Sequence, residues 1–103
     1  MENKLLTIFN TYGKSHQVSK LLEEIGEFIE TVINEDKENM VQEIADCTVM
    51  LKQFQYYYGI TDEEIEEVMK YKVERTIKRM ENEYYEKWNM ERYKRIWGII
   101  SNK

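Results

Sequence analysis

The sequence predicts an all-α fold: an antiparallel helical bundle of four to five helices that self-associates. Three observations point to it. Proline is absent and glycine occurs four times in 103 residues, so little interrupts a helix. Charged residues make up 34% of the chain, which suits long solvent-facing helices better than a turn-rich sheet. Apolar residues recur at three- and four-residue intervals through most of the chain. A chain of this length makes one domain, 1–103, with a core of its own, yet it is small enough that self-association would help to bury its apolar faces.

The first segment, Met1 to about Tyr12, places Leu5, Ile8, Phe9 and Tyr12 on one helical face, and Gly13 can end it. Ser15 is the expected cap of a second helix running to about Ile33, before Asn34 and Asp36 break and recap the chain. Val18, Leu21, Ile25, Phe28 and Val32 form its apolar stripe and are expected to face the core. A third helix, about Lys37 to Tyr58, carries Met40, Ile44, Cys47 and Leu51 as its stripe and closes at Gly59. Its last turn is aromatic, with Phe54, Tyr56, Tyr57 and Tyr58 offering either core and subunit contact or a surface that stacks on a nucleobase.

Thr61-Asp-Glu-Glu64 reads as a capping box, with Ile60 and Ile65 as a hydrophobic staple. The fourth helix continues with Ile65, Val68, Met69, Val73, Thr76, Ile77 and Met80 as its apolar face. Lys72 falls within that arc, with Arg75 and Arg79 along its edge. The lysine either snorkels or pairs with another helix, or it faces substrate phosphates. After Glu81, Tyr84 and Trp88 keep this phase, whereas Tyr93, Ile96, Trp97 and Ile100 define a different face. A bend or a separate helix near Asn89, or a second contact surface, would explain the change, and so aromatic a tail suggests packing, for instance on a partner chain.

Composition narrows the function. A net charge of −5 gives no reason to expect a nucleic-acid partner, and an anionic substrate would need a metal or local cations. Cys47 is the single cysteine, so no intrachain disulfide can form, and its place on an apolar stripe suits packing rather than chemistry. No stretch approaches the roughly 18 apolar residues of a membrane span, and no apolar run resembles a secretion signal. The expectation is a soluble cytoplasmic protein with no membrane partner.

The residues with chemical promise are acidic. Glu24 with Glu27, and Glu43 with Asp46, are three apart, so each pair projects from one side of its helix, a quarter to half a turn from the apolar stripe. In an antiparallel hairpin whose carboxylate side is covered by a further helix or subunit, the four groups converge. Like charges held that close repel unless a cation neutralises them. An all-oxygen set suits a hard ion, Mg²⁺ before Ca²⁺ or Mn²⁺. His16, the lone histidine, is read as structural or exposed, although its pKa range leaves a substrate role open. Lys20 either pairs with Glu23 or Glu24 on the surface or faces bound phosphates. Glycine-rich phosphate loops, Ser/His/Asp orders, paired cysteines and the Glu-x-x-His pairs of di-iron bundles are absent.

Taken in order, these residues resemble the MazG-like, all-α nucleoside triphosphate pyrophosphohydrolases, whose signature is Glu-Glu-x-x-Glu followed on the next helix by Glu-x-x-Asp. Here that is Glu23, Glu24 and Glu27, then Glu43 and Asp46. Gly13, Gln17, Lys20-Leu21, Gly26, Asn39 and the Glu43-Ile-Ala-Asp46 run match the surrounding pattern. Tyr71-Lys72-Val73-Glu74-Arg75, with Arg79, looks like the basic helix that follows in short members. The resemblance covers about residues 12 to 81. Phe28 stands where leucine is usual, and the 82–103 helical tail has no counterpart in it.

The resemblance implies Glu24, Glu27, Glu43 and Asp46 as ligands of Mg²⁺, with Mn²⁺ as a substitute. It makes Glu23 a further ligand or water-orienting base beside Glu24. Lys20, Lys72, Arg75 and Arg79 become candidates for the phosphates, and His16 and Gln17 for other substrate contacts. It implies cleavage of a nucleoside triphosphate, ribo or deoxy, to the monophosphate and pyrophosphate, in control of nucleotide pools, by a homodimer or homotetramer with sites between subunits. A different class of function fits an acidic helical chain with an aromatic tail, namely an inactive interaction module or nucleic-acid mimic. Retention of the full acidic set argues against it.

Overall fold

Gly13 sets the first corner of the chain. Its φ of 88° is open to glycine and costly for other residues, and the corner needs no further residue. The Gly13 N–H donates to Phe9 O at 2.8 Å, closing α1 (Glu2–Tyr12), while Gly13 O accepts from Gln17 N at 3.0 Å, opening α2 (Lys14–Ile33). Ser15 therefore does not cap α2 as expected. The turn is already made at Gly13, no side chain caps the helix start, and Ser15 lies inside the first turn. The computed structural model describes residues 1–82 together with 94 and 95.

The next corner is as tight. Asn34 ends α2, Glu35 takes the left-handed conformation at φ 52°, and Asp36 N donates to Thr31 O at 2.9 Å while Glu35 N donates to Val32 O at 3.2 Å. This is the Schellman pattern, here with glutamate where glycine is usual. Asp36 then caps α3 (Lys37–Tyr57), accepting from Asn39 N at 3.2 Å through Oδ1 and from Asn39 Nδ2 at 2.6 Å through Oδ2. The same pattern ends α3, with Gly59 at φ 68° and Ile60 N donating to Gln55 O at 2.9 Å. The expected break at Asn34 and Asp36 and the expected close at Gly59 both stand.

Helices α1 to α3 belong to one compact unit, Met1–Thr61, in which α2 and α3 pack as an antiparallel pair and α1 lies mainly against α3. Its apolar core is small: Leu5, Phe9 and Met50 are the buried hydrophobic side chains. Phe9 anchors it, edge-on to Phe54 at 5.1 Å between ring centroids and tilted on Tyr57 at 4.5 Å. In this way half-buried Phe54 of the aromatic turn serves as core, Tyr57 lays one ring face on Phe9 while staying 47% exposed, and Tyr58 is exposed.

The facing of α2 and α3 departs from the prediction. On α2 the fully buried residues are Gln17, Glu24 and Thr31, while Val18 and Ile25 are exposed and Leu21, Phe28 and Val32 half-buried. On α3 they are Met50 and Gln53, while Ile44 and Leu51 are exposed and Met40 and Cys47 half-buried. The three helices bury a largely polar line most deeply and cover the apolar stripes expected to face the core only in part.

α4 (Asp62–Met80) belongs to a second unit and starts directly after Thr61, where the capping box predicts. Asp62, Glu63 and Glu64 fill its first turn and Lys78 and Arg79 its last, in accord with the helix dipole. Its predicted apolar face, Ile65, Val68, Met69, Val73, Thr76, Ile77 and Met80, is exposed throughout. The described residues hold four helices and no strand, and none of these helices is long and apolar enough to cross a membrane. The expectations for Tyr84, Trp88, Asn89, Tyr93, Ile96, Trp97 and Ile100 lie outside the described residues.

Candidate metal centre

Because α2 and α3 run antiparallel from a corner centred on Glu35, residues equally far from Glu35 in either direction face each other. Glu27 is thereby set opposite Glu43, and Glu24, one turn further down α2, turns inward beside them. One carboxylate oxygen from each of Glu24, Glu27 and Glu43 lies within 4.8 Å of the other two. Glu24 is the buried member, its side chain 7% exposed, while Glu27 and Glu43 are half-buried. Among the described residues this is the group of acidic, histidine or cysteine side chains close enough to share one cation.

Crowding shows in the protonation of the group. Burial first, then a hydrogen bond with Glu24 and the charges of Glu27, Glu24 and Asp46, pushes the Glu43 carboxyl up to about 7. Burial also pushes Glu24 upward, but the Lys20 ammonium and the hydrogen bond from Glu43 outweigh it and hold Glu24 below the usual carboxylate range. Glu27 is raised, chiefly by the charge of Glu24. Near neutral pH Glu43 is therefore only partly ionised, and a divalent ion would displace its remaining proton.

The cluster is partly neutralised from within. Lys20 Nζ stands 3.1 Å from Glu24 Oε1 and 3.5 Å from Glu23 Oε1, which raises the lysine's own pKa, chiefly through the hydrogen bond to Glu24. Charge is left over: Oε2 of Glu24 and Oε2 of Glu43 are both buried without a hydrogen-bond partner. Orphaned carboxylate oxygens are costly in a protein interior and are what a cation would satisfy. Hard oxygen donors with no nitrogen among them match Mg²⁺ or a similar ion. Cys47, half-buried nearby, has its thiol pushed up by burial and then by the carboxylate charges, so it stays protonated and is no thiolate ligand. Beside the cluster an open groove of about 420 Å³ is lined by Glu27, Glu30, Thr31, Asn34, Asp36, Asn39 and Glu43.

The other predicted site residues fall in different places. Asp46 is exposed and outside the three-glutamate group, although its charge still raises Glu43. Glu23 is exposed and held by Lys20. His16 is exposed, stacked on Tyr12 at 4.8 Å, and donates from Nδ1 to Gln17 Oε1 at 2.8 Å. Gln17 is buried and its amide is taken up inside the unit, donating to Gln53 Oε1 at 2.8 Å. Lys72, Arg75 and Arg79 stand on α4: Lys72 is exposed, and Arg75, half-buried, has its guanidinium 5.7 Å from the Tyr71 ring. Sequence reasoning missed Gln53. No sequence signal marks it, because a single glutamine on a mixed helix gains its meaning only from the partner opposite it.

Compared with protein-family models, with curated proteins and with solved structures, the chain matches none.

Proposed function

We propose that this protein is a Mg²⁺-dependent nucleoside triphosphate pyrophosphohydrolase of the MazG-like kind, converting a ribo- or deoxynucleoside triphosphate and water to the monophosphate and pyrophosphate. One observation carries the reading: two helices bring Glu24, Glu27 and Glu43 within 4.8 Å of one another and leave two buried carboxylate oxygens without partners. The ordered Glu23-Glu24-x-x-Glu27 and Glu43-x-x-Asp46 pattern supports it.

Glu24, Glu27 and Glu43 would hold the cation, with Asp46, opposite Glu24 across the hairpin, completing the set. A bound Mg²⁺ supplies charge for phosphate oxygens and lowers the pKa of the attacking water. Glu23, exposed beside Glu24, orients that water and accepts its proton. Lys20 takes up charge on the departing pyrophosphate and His16 reaches the rest of the substrate, while the family resemblance alone offers Lys72, Arg75 and Arg79 of α4 as further phosphate candidates. The uncovered apolar sides of α2, α3 and α4 support a homodimer or homotetramer, since a second copy would bury them.

The test is Mg²⁺-dependent pyrophosphate release from a panel of standard, deoxy and damaged nucleotides, with Mn²⁺ as a substitute ion. Glu24→Gln should lower turnover at least about 100-fold, because it removes a buried ligand charge while keeping its shape. Full turnover in Glu24→Gln, or none with any nucleotide in the unaltered protein, overturns the enzyme reading. The second outcome would favour an inactive interaction module, for which the same exposed apolar sides speak.

A further inference from the structure

At the opposite end of the α2–α3 pair from the Glu35 corner lies a polar link whose two glutamines take no part in the proposed chemistry. Gln17 and Gln53 are 2% and 1% exposed, as enclosed as Phe9. Every amide atom of the pair is used. His16 Nδ1 donates to Gln17 Oε1 at 2.8 Å, Gln17 Nε2 donates to Gln53 Oε1 at 2.8 Å, and Gln53 Nε2 donates to Met50 Sδ at 3.6 Å. Two apolar side chains of the same size would fill this space with fewer geometric demands. A buried amide pair instead discriminates, because only one alignment of the two helices lets the amides meet.

We infer that the Gln17–Gln53 bridge is a register lock for α2 against α3, and through it a positioning pair for the three-glutamate cation site; the second half of this inference rests on the metal reading proposed above. Gln17, Glu24 and Thr31 form one buried line on α2, so a rotation or slide that moves Glu24 also moves Gln17. Gln17 and Gln53 are equally far from Glu35, as are Glu27 and Glu43, so both pairs belong to one alignment. A slide of one helical turn is about 5.4 Å. That exceeds the 4.8 Å span of the glutamate oxygens, so the site does not survive a one-turn slip. The same slip sets Gln17 beside the side chains of Val49 and Met50 and leaves both amides enclosed and unpaired. The corner at Glu35 fixes one end of the pair and the glutamine bridge the other, with the cation site between.

The test is the double substitution Gln17→Met with Gln53→Met, which keeps side-chain length and removes both amides, so neither is left orphaned. Spin labels at the exposed positions Leu22 and Thr48, in a Cys47→Ala background, read the helix alignment directly from their distance distribution. Mn²⁺ binding, followed by its electron paramagnetic resonance signal, reads the site. The parent should give one narrow distance and the double variant a broadened or second population displaced by about one turn. Mn²⁺ affinity should fall roughly 10- to 100-fold while helical content is retained. An unchanged distance distribution overturns the lock. A shifted distribution with unchanged Mn²⁺ affinity overturns the positioning role. If the parent itself binds no Mn²⁺, the metal reading fails with the positioning role, while the distance distribution still decides the lock. Single Gln17→Asn, which keeps the amide on a shorter stem, separates reach from polarity: it should shift the distribution as the double variant does, and a parent-like distribution would show that the bridge's geometry does not set the alignment.

Discussion

The two long sides of the α2–α3 pair invert the usual arrangement. The side turned toward the rest of its own unit carries Gln17, Glu24, Thr31, Glu43 and Gln53, and the side turned away carries Val18, Ile25, Val41, Ile44 and Leu51. Val41 and Leu51 remain 58% and 57% exposed. Among the described residues, then, the hydrophobic effect is far from spent: α1 and the aromatic turn stabilise the unit around Phe9, and the larger apolar surface stays exposed. The lesson is that an amphipathic helix announces an apolar face without saying which contact, inside the chain or outside it, will cover that face.

The comparison can be broken most forcefully at the core. Phe9→Ala removes the one large ring that α1 inserts between Phe54 and Tyr57, and it should cost about 3–5 kcal/mol in chemical denaturation at every protein concentration. On the outer side, Ile44→Ser with Leu51→Ser should behave differently. The parent's midpoint should rise with protein concentration as copies associate, and the double variant's should not. A concentration-independent parent would remove the outer side from any role in assembly.

A smaller effect comes from the acidity of the inner side. Glu43 titrates near 7 in the folded chain against its model-compound 4.5, so between those values the folded state holds more proton than the unfolded one. Stability of the metal-free protein should therefore fall as pH rises from about 4.5 to 7 and level off above, once this carboxyl is ionised in both states. Glu24 works in the opposite sense, with its contribution lost as pH falls below the usual carboxylate range. Thermal midpoints between pH 5 and 8 check the sign, and added Mg²⁺ should flatten the fall.

The smallest expected effect is at the corner. Glu35 holds φ 52°, a conformation that costs a residue with a Cβ roughly 1 kcal/mol, and Glu35→Gly should give back at most about 0.5 kcal/mol after the extra freedom of the unfolded chain is counted. A destabilised Glu35→Gly protein would mean that the glutamate side chain contributes more at this corner than the strain it bears.

What the sequence made legible follows from how local each signal is. Gly13, Asp36, Gly59 and Thr61 act on their own neighbours, so helix limits could be read within a residue or so, and only the role of Ser15 was misplaced. The acidic cluster was legible for Glu24, Glu27 and Glu43 because three-residue spacing shares a face. Asp46 obeys the same spacing with Glu43, yet it lies on the exposed flank, since the sense of rotation depends on what the neighbouring helix covers. That choice was not legible: the apolar stripe was assigned to the core, and the polar line took its place. Nor could Gln53 be found, because a lone glutamine acquires meaning only when the alignment that brings Gln17 to it is known. Glu35 was hidden too, as nothing but the geometry of a short corner forces a glutamate into a glycine's conformation.

The hinge between α1 and α2 has no slack. Gly13 closes one helix and opens the next within a single residue, whereas α3 and α4 are separated by several. An extra residue inserted beside Gly13 could not be absorbed as loop; it would swing the whole of α1 about its axis by about 100° and carry Phe9 away from its aromatic seat. Length changes in this chain should thus be tolerated after Tyr58 and punished before Lys14.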